Sequence, residues 1–235
     1  MTRRTQAAIL LAVLLATYLF VAYVALPFAW TRYAHRHPAL DAMPGITRTG
    51  DDHPGDPINV ALIGKEADLK RIMLAAGWHP ADPITLRSSL EIAEGTILKR
   101  SYDDAPVSSL YLWGRKQDLA FEQPVGDDPR QRHHVRFWRS DSLDDAGRPL
   151  WAGSATYDER VGLSHTTGQI THHIAPDVDA ERDHLFDDLK KTGDLADVRV
   201  DEGFHQVREG RNGGGDPWRT DGSLFVGTIK MGNRP

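Results

Sequence analysis

Cysteine is absent from this chain of 235 residues. That excludes disulfides, thiolate metal sites and a cysteine nucleophile, and leaves the redox compartment open. No basic block occurs. With 28 basic and 33 acidic residues the formal charge is −5, which argues against a nucleic-acid partner. The usual catalytic signatures are missing too. Ile63-Gly64-Lys65 lacks the upstream glycine and following hydroxyl of a P-loop, and Gly153-Ser154-Ala155 lacks the second glycine of a nucleophile elbow. Gly213-Gly214-Gly215 has no strand before it and no helix after it, so it makes a poor phosphate cradle.

Charge is absent as well from Thr5 to Thr31. The run over residues 7–30 is longer than the ~7–15 apolar residues of a signal peptide and lacks a small-x-small cleavage site. About 20 apolar residues cross a bilayer core as a helix, so residues 1–31 are expected to form a retained, single transmembrane anchor with the lipid bilayer as its partner. Trp30 and Tyr33 suit the interface. Arg3 and Arg4 face Arg32 and Arg36 across the run, a weak charge bias. The short leading tail favours an amino terminus inside, which places residues 38–235 outside the cytoplasmic membrane.

Residues 32–57, rich in proline and glycine, read as a linker. After the anchor roughly 200 residues remain, enough for one sizeable domain with its own core or for two small ones. Ile58–Ile63 reads as a buried strand, and Glu66–Ala76 as a helix whose stripe is Leu69, Ile72, Met73 and Ala76. Gly77 and Pro80 end it. A capping-box spacing at Ser88 and Glu91 opens a second helix from Ser89 to about Lys99. The period then changes to two. Ser109–Trp113 and Asp118–Glu122 read as a hairpin, followed by strands at His133–Arg139, Leu150–Asp158 and Ile170–Ala175. A helix capped by Asp177 or Asp179 runs to about Lys191. Residues 194–235 add strands at Asp197–Asp201 and Leu224–Ile229 around a Gly-rich loop, RNGGGDPW, expected to be mobile. The grouping predicts an α+β fold: a mostly antiparallel sheet packed with about three helices.

Two histidine pairs stand out, His133-His134 and His172-His173. Strand alternation points His133 and His172 inward, beside Val135, Phe137, Ile170 and Ile174, and points His134 and His173 outward. One inward histidine from each strand with Asp177, Asp179 or Glu181 would make a zinc or manganese site, with His133, His172 and Asp177 as the first choice. Structural, hydrogen-bonded histidines explain the same pattern. The acidic run Asp177-Val178-Asp179-Ala180-Glu181-Arg182-Asp183 offers carboxylates for a cation or for acid–base work, and equally the acids a helix start attracts. Arg132, Arg136 and Arg139 with Trp138 suit phosphate or carboxylate groups, or form one solvated strand face.

Three segments, NVALIGKEADLKRIMLAAGWHPADPIT, RQRHHVRFWRS and GLSHTTGQITHHIAPDVDAERDHLFDDL, together resemble the LssY carboxy-terminal domain family over residues 58–193. The family is bacterial, and in longer relatives the domain accompanies membrane-embedded and lipid-phosphatase regions. This chain has no PSGH-type phosphatase motif, so that activity is not expected. The resemblance implies a membrane-associated module of the cell envelope, working near lipids, envelope polymers or secretion machinery. Its site residues would be those matching the shared motifs: His133, His134, Arg136, Trp138, His172, His173, Asp177, Asp179, Glu181, Arg182 and Asp183. A non-catalytic binding role is the leading expectation, and a metal-dependent hydrolase the alternative.

Overall fold

A computed structural model describes residues 3–26, 28, 43–81, 109–126, 131–165 and 170–232. The helix expected at Ser89–Lys99 lies outside the described residues. At the amino terminus, α1 (Arg3–Phe20) passes into a π-helical turn, Val21–Ala25. No helix among the described residues is long and apolar enough to cross a membrane. The transmembrane helix expected over 7–30 is not supported by the described helices. α1 has 18 residues, begins with two arginines, and gives way to π geometry after Phe20. Leu10, Leu11, Leu14 and Phe20 are exposed along it.

The rest is α+β, as expected, with three layers. The middle layer is an eight-stranded sheet in the order β11 (Leu195–Asp201), β14 (Leu224–Ile229), β3 (Val60–Ile63), β9 (Pro149–Leu163), β8 (Arg132–Leu143), β7 (Leu119–Pro124) and β4 (His79–Pro80), with β10 (Ile170–Ile174) paired to the distal half of β9. Only the β14–β3 pair is parallel. One face carries α2 (Glu66–Ala75) and α3 (Val178–Lys191), packed through Leu69, Ile72, Met73, Leu185, Phe186 and Leu189 onto Val60, Leu62, Val135, Phe137 and Trp151. The other face carries a small sheet, β2 (Pro54–Pro57), β1 (Ile46–Arg48), β5 (Tyr111–Leu112) and β6 (Arg115–Lys116). There Met43, Leu110 and Leu112 meet Ala61, Ile63, Trp138 and Ala152.

This second covering layer revises several expectations. Residues 43–57, read as linker, supply β1 and β2. The expected hairpin is split: Trp113 and Gly114, both at positive φ, close the short β5–β6 hairpin, and β7 joins the central sheet instead. Residues after 193 belong to the same fold, because β14 lies inside the sheet between β11 and β3. The Gly-rich segment forms the turn of a hairpin between β12 (Glu209–Arg211) and β13 (Pro217–Arg219). Asn212 Oδ1 accepts from Asp216 N across that turn.

Candidate functional site

β8 feeds both faces of the central sheet. His133, Val135 and Phe137 face the helices, while His134, Arg136 and Trp138 face the small sheet. Because both faces are covered, His134 and His173, expected outward, are buried at 3% and 2% exposure.

On the small-sheet side lies a cavity of about 210 Å³, lined by Thr49, His53, Asp56, Tyr111, Arg136, Asp158, His172, Asn212 and neighbouring glycines. Asp56, Arg136, Asp158 and His172 of its wall are buried. Arg136 Nη1 donates to Asp56 Oδ2 over 3.4 Å, and Asn212 Nδ2 donates to Asp56 Oδ1 over 3.0 Å. Arg132 Nε donates to Asp158 Oδ2 at 3.0 Å, and its Nη1 to Glu122 Oε2 at 2.9 Å. The arginine alternation is therefore not one solvated face; only Arg139 of the three is exposed. Arg132 Nη2 lies 3.3 Å from His172 Nε2. A guanidinium can only donate, so His172 accepts at Nε2 and is neutral there.

Electrostatics agree. Burial, then Arg132 and Arg136, depress the His172 pKa to about 4. Burial and the same arginines hold His134 well below its ordinary value. Asp56 is raised, burial outweighing Arg136 and Asn212. Asp158 is raised too, burial outweighing Arg132 and Arg136. On the adjoining strand pair, His134 sits opposite Thr156 and Arg136 opposite Ser154. His134 Nδ1, Arg136 Nε, Ser154 Oγ and Thr156 Oγ1 are buried with no partner among the described residues. Buried polar atoms in native folds are almost always hydrogen-bonded.

The other expected site residues are elsewhere. On the helix face, His133 Nδ1 lies 2.7 Å from Glu181 Oε2, and the His133 ring stacks on His184 at 3.9 Å. Burial raises Glu181 against the pull of His133. Trp138 is a core residue. Asp177 caps α3 through Ala180 N at 3.3 Å and accepts from Arg219 at 3.0 Å. Arg182, buried over the Phe225 ring at 4.1 Å, donates to Asp179, Asp183 and Asp221. Asp179 also accepts from Thr220 Oγ1 at 2.7 Å. The acidic run thus fastens α3 to the loop before β14. His133, His172 and Asp177 are not brought together: the first faces the helices, the second the cavity, and the third caps α3.

Sequence reading missed Asp56, Asp158, Asn212 and Asp216, and noted His165 only as a histidine near the two pairs. Asp56 lay in the presumed linker and Asn212 and Asp216 in the presumed mobile loop. His165 and Asp216 form, with His173, the group among the described residues whose ligand atoms lie within 4.8 Å of one another.

Together the layers and the buried charged cavity define a three-layer α+β module with a small polar site between sheets. Residues 40–224 match the family described as LssY C-terminus, and the chain belongs to that family. The match takes in β1, β2 and the β12–β13 hairpin, which the shorter resemblance left out. No curated protein and no solved structure matches the chain.

Proposed function

We propose that this protein is a non-catalytic binding module of the bacterial cell envelope, held at the membrane by its apolar amino-terminal segment. Its ligand is a small polar group with both hydrogen-bond donors and acceptors, of the kind found in lipid headgroups and envelope polysaccharides. One observation carries this reading: Arg136, Asp56, Asp158 and His172 are all buried and all line one cavity. Buried ion pairs add little net stability, and perturbed titratable groups gathered in a cavity mark functional sites. A volume near 210 Å³ takes a headgroup or a single sugar rather than a larger ligand. The mixed wall offers guanidinium and amide donors beside carboxylate acceptors, suited to hydroxyls, ammonium and phosphate alike. Membrane attachment is supported by the large side chains exposed along α1, whose only other solvent would be water. The hydrolase alternative, with His133, His172 and an acid as metal ligands, has less support, because His133 faces the helices and His172 the cavity.

The test is thermal unfolding of the full chain in detergent micelles with glycerol phosphate, phosphoethanolamine, phosphocholine and amino sugars. At least one compound is expected to raise the melting temperature with increasing concentration, and Arg136→Gln to abolish the shift. No shift with any compound, or turnover of one, would count against the proposal. Separately, the chain is expected to pellet with membranes after alkaline carbonate washing.

A further inference from the structure

We infer that His165, His173 and Asp216 form a divalent-metal site of the zinc class. The inference goes beyond the binding role and does not depend on it. Three separate elements deliver the residues: the segment after β9, strand β10, and the turn before β13. One ligand atom from each lies within 4.8 Å of the others. Two imidazoles and a carboxylate are a donor set zinc accepts, leaving a position for water or a ligand group.

The backbone holds each residue in place before any ion arrives. His165 N donates to Gly214 O at 2.9 Å, and Asp216 N donates to Asn212 Oδ1 at 2.9 Å. His173 Nδ1 lies 2.6 Å from Asp216 Oδ1. Gly215 has φ +89°, and a Cβ there would come within 2.7 Å of His165 Cβ, so only glycine lets that histidine approach the turn. The ring atom that faces Asp216 is His173 Nδ1, and the residue is 2% exposed, so an ion bound there would take the place of the proton between the two groups in a site largely closed to water. Nε2, without a partner among the described residues, lies on the far side of the ring beside Gly162 and is not the ligating atom. Ser164 and Gly214, neighbours of His165 and Asp216, line the cavity, so the ion would sit at its edge.

The full chain, purified in detergent and stripped with chelator, is titrated with Co²⁺ and then Zn²⁺. The expected result is saturable visible d–d absorption from Co²⁺, displaced by Zn²⁺. His165→Ala removes an exposed ligand and should leave the melting temperature of the metal-free protein unchanged while weakening Co²⁺ binding more than about tenfold. Asp216→Asn should do the same to affinity, and His79→Ala, an exposed histidine on β4, should change nothing. Should Asp216→Asn fail to fold, His165→Ala decides. Absence of Co²⁺ absorption, or binding that His165→Ala leaves intact, overturns the inference.

Discussion

Arg132 and Asp158 sit directly opposite each other across the β8–β9 pair, and Arg132 Nε donates to Asp158 Oδ2 over 3.0 Å. The two partners are not equivalent. Burial raises the Asp158 pKa despite both arginines, so burial works against its charged form. Asp158→Asn is therefore expected to cost less than about 1 kcal/mol. Arg132→Met strands Asp158 and Glu122 and should cost about 3 kcal/mol. Urea unfolding of the two variants at pH 7 checks the contrast, and equal losses would refute it.

His172 sets a pH dependence. Its folded pKa of about 4 lies below the ordinary 6.5, so between those values the unfolded chain binds more protons and stability falls as pH drops. The contribution is on the order of 3 kcal/mol across that window. His134 and His184, also depressed, act in the same direction. Asp56, Asp158 and Glu181, with raised values, oppose it. His172→Gln should flatten the slope of unfolding free energy between pH 6.5 and 4. An unchanged slope would mean that His172 is not held neutral.

Asn59 ties the central sheet to α3. Its Nδ2 donates to Ala155 O and Val178 O, each at 2.9 Å, and its Oδ1 accepts from Ala155 N at 2.9 Å. The residue is fully buried. Asn59→Ala removes three bonds and leaves their backbone partners dry, a cost of about 3 kcal/mol. Chemical denaturation measures it; a loss under about 1 kcal/mol would show that the cross-tie is dispensable.

Much of the central layer was legible because its signals are local. Glu66–Ala75 carried its apolar stripe and terminal glycine, α3 its Asp177 cap and closing lysines, and β14 its bounds without error. What escaped depended on the second covering layer. Alternation gives faces but not their neighbours, so His134 and Arg136 read as outward until β1, β2 and β5 were seen to lie over them. Asp56 was hidden among the two prolines and one glycine of β2. The His165–Asp216 approach depends on backbone bonds in the Gly213–Gly215 turn, which composition described only as a loop. The amino-terminal run had the opposite problem: hydropathy gave its length but not the switch to π geometry after Phe20.

The most direct measurement for the cavity is native mass spectrometry of the full chain extracted from its own membranes, beside Asn212→Ala and Arg136→Gln. Both residues line the cavity. The account predicts a small polar molecule retained by the wild-type chain and lost from both variants. A bare wild-type mass, or an adduct that both variants keep, would contradict it.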